Sequence, residues 1–376
     1  MSFSKHAALT CLTWCIALLP AISAADESAT APAEIEHARE QAVTKGIDYL
    51  RAKGQAADGS YSAASDPIGI TALVTTGILR NGRSPQDPQV ARSLKYLEKF
   101  IQPDGGIYRT ESGNKNYETC LAVMAFSAAN ADGHYSAMLK KADHYLKGLQ
   151  WDESEDQKPS DINYGGAGYG RSKRPDLSNT AFLIDALKTS GTGPNDEAMK
   201  KALIFVSRCQ NLESEHNTTQ FSAKVGDGGF YYTPAGGGSS PAGKTADGGL
   251  RSYASMTYAG LKSMIYAGVG PDDPRVKAAT DWIRKNYDLD SNPGMGESGL
   301  YYYYDTFAKA LNAMGQETFA DASGHQHHWR RELSQELVGR QQSDGSWTNT
   351  NSRWLEGDPN LVTGYALLAL SYCRPK

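Results

Sequence analysis

The strongest constraint on the fold of this chain is a turn that keeps returning between two apolar stretches. Its fullest form lies in residues 341–370: one stretch ends on Gln341 and Gln342, Asp344-Gly345 follows, Trp347 comes two positions past the glycine, and a second apolar run starts near Leu361. Each part has a mechanical reason. Asp344 can turn back onto its own backbone, Gly345 supplies the positive φ that a side chain disfavours, and Trp347 brings a large apolar face to pin the loop. A single unit of this kind cannot bury its own apolar face, whereas a stack of them can.

The same order, loosened, occurs five times upstream. In the first unit Val43, Ile47 and Leu50 are spaced as one helix face, Gln55, Asp58-Gly59 and Tyr61 form the turn, and residues 68–79 form the second helix. The second unit sets Val90, Leu94 and Leu97 before Gln102, Asp104-Gly105 and the anchor Tyr108. The third and fourth end their first helices at Gln150 and Gln210 and carry insertions, and the fifth has no Gln and turns through residues 294–304. Six helix pairs predict about twelve helices, antiparallel to their neighbours. The uneven repeat length and the lack of polar capping units favour a closed ring over an open superhelix. The expected fold is therefore all-α, an α/α toroid over residues 37–376. Its second helices, apolar nearly all round, form the inner barrel, and its first helices, with Lys95, Lys99, Lys140, Lys141, Lys200 and Lys201, lie outside.

The N-terminus reads as an address. Lys5 and His6 precede an apolar run over residues 7–22 and the small residues Ser23, Ala24 and Ala25, the pattern of a signal peptide over residues 1–25. This predicts export to the periplasm or extracellular space, with no stable membrane span after cleavage. Residues 26–36, rich in Ala, Ser, Pro and Glu, read as a flexible leader. Cleavage leaves Cys120, Cys209 and Cys373, too widely spaced for a disulfide framework or a metal knuckle. Their expected role is as small buried hydrophobes, with one bridge left open. The net charge of −4, with both signs interspersed, lacks the basic footprint that a phosphate backbone requires, so nucleic acid is not an expected partner.

Gln followed by Asp-Gly and an aromatic residue, repeated between paired helices, resembles the repeats of squalene and hopene cyclases and of protein prenyltransferase β subunits. Gln342-Ser343-Asp344-Gly345-Ser346-Trp347 and Gln102-Pro103-Asp104-Gly105-Gly106-Ile107-Tyr108 carry the resemblance. It implies the terpenoid cyclase/prenyltransferase toroid, and it puts that chemistry to a residue-by-residue test. Cyclases that protonate an alkene carry Asp-x-Asp-Asp-Thr-Ala at the start of an inner helix, the middle Asp being the acid. The matching run here is Asp176-Leu177-Ser178-Asn179-Thr180-Ala181, with Ser178 in the acid's place. A hydroxyl cannot protonate a double bond. The prenyltransferases use zinc held by Asp, Cys and His. Gly228-Gly229-Phe230 and Lys244-Thr245-Ala246-Asp247-Gly248-Gly249 echo their pattern, but Gly249 replaces the Cys, so no metal and no cofactor is expected. The thioester run of complement-like toroids is absent, and toroidal polysaccharide lyases share the general plan.

The expected ligand-binding residues are Tyr169, Asp176, Asn179, Tyr253, Tyr303 and Asp305, each just before or at the start of an inner helix, where helix dipoles favour anionic or carbonyl groups. Asp176, Tyr303 and Asp305 are the candidates for catalysis, although Asp or Asn at such a place commonly serves as a helix cap. Tyr164, Phe230, Tyr231, Tyr232 and the run Tyr301 to Tyr304 suggest an aromatic opening, with Arg171, Lys173 and Arg174 beside it. His325, His327 and His328 read as either a solvated loop or a metal cluster. Three functions stay open: a ring binding a lipid, isoprenoid or other ligand in or over its central cavity, a lyase-like enzyme on an envelope or extracellular polysaccharide, and a structural or protein-binding ring.

Overall fold

The structure is a computed structural model that describes residues 1, 24–62, 67–170 and 174–375. Among these residues are twelve α-helices: α1 (Ala24–Tyr49), α2 (Pro67–Arg80), α3 (Pro88–Glu98), α4 (Lys115–Ala128), α5 (Ser136–Lys147), α6 (Leu177–Thr189), α7 (Glu197–Arg208), α8 (Ala254–Tyr266), α9 (Pro274–Lys285), α10 (Leu300–Met314), α11 (Trp329–Arg340) and α12 (Pro359–Tyr372). The strands are one two-residue antiparallel pair, Phe319–Ala320 with Gln326–His327. The expected signal peptide lies, apart from Met1, Ala24 and Ala25, outside the described residues, as do Arg171 and Lys173. No helix among the described residues is long and apolar enough to cross a membrane.

The even-numbered helices close a ring, with α2 packed on α4, α4 on α6, α6 on α8, α8 on α10, α10 on α12 and α12 back on α2. Their sequences require this place: α2 is buried at every residue from Ile68 to Leu79. The odd-numbered helices form the outer layer and are amphipathic. In α3, Val90, Leu94 and Leu97 face the ring while Arg92, Lys95 and Lys99 are exposed. Three outer helices, α3, α7 and α9, begin on an Asp cap, and in α3 and α9 the next residue is Pro: Asp87 and Asp273 accept from the amides of Gln89 and Arg275. The seam of the ring lies where α1 meets α11 and α12.

The recurrent turn has a shared hydrogen-bond scheme. Gln341 Nε2 donates to the Gly345 carbonyl at 2.9 Å and to Ala42 of α1 at 2.8 Å, which ties the last unit to the first. Gln150 and Gln210 bridge their own glycine turns to Ala198 of α7 and Arg275 of α9 in the same way. Gln55 reaches Gln89 of α3. Gly345, at φ 91°, must be glycine twice over, because a Cβ there would lie 2.5 Å from the carbonyl oxygen of Lys45 on the neighbouring outer helix. Two residues beyond the glycine, a backbone N–H is accepted by a Thr hydroxyl of the inner helix. Tyr61, Ile107, Ala167, Phe230 and Trp347 pair in this way with Thr71, Thr119, Thr180, Thr257 and Thr363 at 3.0–3.1 Å.

Three local expectations change. In the second unit Ile107, not Tyr108, holds the anchor position, while Tyr108 stacks on Tyr145 at 5.5 Å. The bridging glutamine of the last unit is Gln341, and Gln342 caps the turn through its backbone. Residues 26–36 belong to α1 instead of a flexible leader; Ala and Glu favour helix, and Glu36 pairs with Arg39 on the same face.

Candidate functional site

Since every inner helix follows an outer one that runs the opposite way, all six inner N-termini share one end of the ring. At that mouth the first turns meet across the axis. Tyr117 packs edge-on against Phe182 at 5.1 Å, Phe182 lies 6.1 Å from Tyr302, and Tyr302 lies 6.0 Å from Tyr365. Ser178 Oγ is 3.1 Å from the Tyr302 hydroxyl. The position of the missing acid is therefore a hydroxyl that faces this aromatic floor.

Below the floor, inner-helix side chains crowd the axis. The cavity between Leu121, Met124, Leu368, Arg80, Asp305 and Lys309 has a volume of ≈ 10 Å³, room for at most one water. The same side chains belong to a buried charge cluster. Lys262 Nζ is 2.5 Å from Asp185, and Lys309 Nζ is 2.7 Å from Asp305 and 3.4 Å from Asp185. Burial pushes the Asp185 carboxyl up, but the two lysines outweigh it and hold it below the ordinary range. Burial lowers Lys262 more than its partners raise it, whereas the two carboxylates keep Lys309 above the usual lysine value against burial.

The rim of the mouth is built from the connections leading into the inner helices. Tyr169, just before α6, is 36% exposed, and its ring lies 6.4 Å from Tyr117. Before α12 the chain carries Trp354 and Leu355, 47% and 42% exposed, at φ 56° and 66°. Two consecutive side-chain-bearing residues in the left-handed region cost about 1 kcal/mol or more each, so the surroundings must impose them. Directly after them Glu356 is buried, and its carboxylate accepts from the amides of Tyr301 and Tyr302 and from Asn349 Nδ2, capping α10 from the neighbouring unit where Gly299 has no side chain to do so. Burial moves Glu356 up, and these donors offset part of the shift. The Arg353 guanidinium lies 4.3 Å from the Trp354 ring, and that of Arg174 lies 5.8 Å from Tyr232.

The residues expected to bind a ligand separate into three places. Tyr169 stands open on the rim. Asp176, Asn179 and Tyr253 lie beneath it, each no more than 3% exposed. Asp176 caps α6 by accepting from the Asn179 amide and side chain, both at 2.8 Å. Burial raises its carboxyl to about 6 despite these bonds and one from Tyr232. Tyr303 does not reach the mouth: its hydroxyl donates to the Asp288 carbonyl at 2.5 Å, and its ring packs on Tyr258 and Phe307 between the two layers. Asp305 lies inside the barrel, held by Lys309. The reason is helical phase. Tyr302, Asp305 and Lys309, at i, i+3 and i+7, share the face toward the axis, and Tyr303 and Phe307 share the opposite one. That spacing was the available signal for Tyr302. Tyr117, Tyr365, Arg353 and Trp354 escaped notice because only the closed ring brings their units together.

The other candidates have structural partners. Tyr231 donates to the Arg208 carbonyl, and Phe230 anchors its turn. His327 stacks on Tyr287 at 3.8 Å and sits between Glu332 and Asp321 at 2.8 and 3.4 Å. Among the described residues no group of three or more His, Cys, Asp or Glu is placed to hold a metal ion. Cys120, Cys209 and Cys373 are buried free thiols.

Comparison with known proteins agrees with this architecture. Residues 64–233 match the family model of the squalene-hopene cyclase C-terminal domain. The type II terpene cyclase MstE from Scytonema, in complex with its product merosterolic acid A, superposes with a TM-score of 0.55 at 12% identity, covering 90% of this chain and 98% of that one. The same cyclase with its substrate geranylgeranyl dihydroxybenzoate gives 0.55 at 11% identity, over 90% and 98%. The polysaccharide lyase BACCELL_00875 gives 0.52 at 10% identity, over 90% and 96%. No curated protein matches the chain by sequence. At these identities the structural likeness is one of fold. The chain therefore has the α/α toroid fold of the terpenoid cyclases, and residues 64–233 resemble the squalene-hopene cyclase C-terminal domain, with Ser178 at the place of the protonating acid.

Proposed function

We propose that this protein is a binding toroid that holds its ligand over the inner-helix mouth, without proton-initiated cyclisation and without zinc-dependent prenyl transfer. The observation that carries the reading is the contrast between the two ends of the same axis. The cavity on the axis measures ≈ 10 Å³ among paired charges, while the rim presents the exposed aromatic rings of Tyr169 and Trp354, with Trp354 and its neighbour Leu355 in left-handed backbone. A polyprenyl chain needs an apolar enclosure of several hundred Å³. Strain of this kind persists where function uses the geometry it imposes. The protein acts after export, in the periplasm or outside the cell, once residues 1–25 have been removed.

The test is incubation of the mature protein with squalene and with geranylgeranyl-bearing substrates, followed by mass spectrometry of products and of retained ligand. The expected result is no cyclised product and no polyprenyl retained within the ring. Turnover by the wild-type protein that survives Trp354→Ala would overturn the reading, because chemistry would then proceed below the mouth. N-terminal sequencing of protein taken from its own envelope checks the export step.

A further inference from the structure

We infer that the ligand of this mouth is a carbohydrate chain, its ring faces lying against Trp354 and Tyr169 and its carboxylate or hydroxyl groups engaging Arg353. The inference rests on the mouth-binding reading above and narrows it to a ligand class.

Large apolar side chains exposed on this protein are few. Among the described residues, apart from Met1, they are Ile101, Ile162, Tyr169, Trp354 and Leu355, and all five lie in connections between an outer helix and the next inner one, on the mouth face. Such one-sidedness marks a binding surface. The two aromatic members suit sugars, which offer a flat face of C–H groups to a π system and polar groups at the edge.

The Trp354 platform is built. Trp354 and Leu355 lie in left-handed φ directly before Glu356, whose carboxylate is tied to the start of α10. The indole edge seats against Gly299, where a Cβ would lie 3.0 Å from the ring. That glycine, at φ 67°, makes room for the ring as well as for the turn. On the indole the guanidinium of Arg353 is exposed, within reach of a ligand carboxylate lying on the platform, with which it can form a paired hydrogen bond. Beneath the platform, Tyr117, Phe182, Tyr302 and Tyr365 close the axis, so a chain crosses the mouth instead of entering it.

The experiment measures binding of polygalacturonate, neutral xylan and detergent-dispersed geranylgeraniol to the full mature protein, by affinity electrophoresis and tryptophan fluorescence. It compares the wild type with Trp354→Ala, Tyr169→Ala and Arg353→Gln. All three side chains are at least a third exposed or on the rim, so the variants fold. The expected result is polygalacturonate binding that weakens about tenfold in Trp354→Ala. Arg353→Gln should weaken the acidic chain more than xylan and reduce its salt dependence. Glycan binding indifferent to both aromatic substitutions, or no glycan binding by the wild type, overturns the inference. Geranylgeraniol bound in a Trp354-dependent way, with no glycan bound, keeps the mouth reading and removes the carbohydrate. A ligand set in which nothing depends on Trp354 or Tyr169 removes both.

Discussion

Asp176 and Trp354 show how single residues here trade stability for position. Asp176 is buried at the start of α6, and its carboxyl is raised to about 6, above the value of roughly 3.9 expected when unfolded. A raised carboxyl stabilises the fold fully below its unfolded pKa, and that contribution is lost as pH rises through the folded value. Wild-type protein is therefore expected to lose roughly 2–3 kcal/mol between pH 4 and pH 7 relative to Asp176→Asn, measured by denaturant unfolding at both pH values. Trp354 is strained and half-exposed, so Trp354→Gly should hold or raise the thermal midpoint, by the equivalent of about 1 kcal/mol, while removing the platform. Gly345→Ala is the opposite case. Its positive φ and the Lys45 carbonyl 2.5 Å from the added Cβ predict a loss of about 2–4 kcal/mol, read from the shift of the unfolding curve.

At the scale of elements, the repeat is held by the alliance of a turn with the helix that follows it. Thr363 accepts the Trp347 amide, and four further threonines do the same in other units. Thr363→Val preserves shape but leaves a buried N–H unpaired, which should cost about 1–3 kcal/mol in unfolding experiments, with Thr363→Ser recovering most of the loss. The same scheme explains why Thr180 persists within Asp176-Leu177-Ser178-Asn179-Thr180-Ala181 while the acid does not. Thr180 belongs to the architecture through Ala167, whereas Ser178 faces the mouth and is bound by no such duty. The turns were legible because their Asp-Gly cores act locally, Asp344 bonding Ser346 two positions on, although the glutamines and threonines around them reach farther, Gln341 to Ala42 and Thr257 to Phe230. Residues 26–36, read as a leader, form the start of α1.

Across the whole molecule, ring closure and the buried charges decide the character of the protein. Asp185, on α6, pairs with lysines from α8 and α10, so the cluster exists only in the closed barrel. Its carboxyl is held below the ordinary range, so its stabilisation is complete above that range and is lost as pH falls toward the lowered value. Asp185→Asn leaves Lys262 without its ionised partner and should cost about 3–5 kcal/mol at neutral pH, checked by chemical denaturation. Replacing Asp185, Lys262, Lys309 and Asp305 together by apolar residues should recover much of that loss, since no charge is then stranded.

The sequence alone determined the toroid: the paired helices, which of each pair lies inside, the twelve-helix count and the loss of the cyclase acid at Ser178 all follow from periodicities and motifs that act over short distances. The site was decided by the tertiary structure. Tyr169 stands exposed on a rim loop, and that exposure needs no distant partner. Tyr303 was confused with Tyr302 because their difference is one step of helical phase, about 100°, and only the neighbouring helices show which face meets the axis. Tyr117, Phe182, Tyr302 and Tyr365 come from four units and touch only when the ring shuts. Whether a barrel of apolar helices encloses a lumen or a packed core depends on how side chains from all six fill one axis, and that sum exists in no single stretch of the chain.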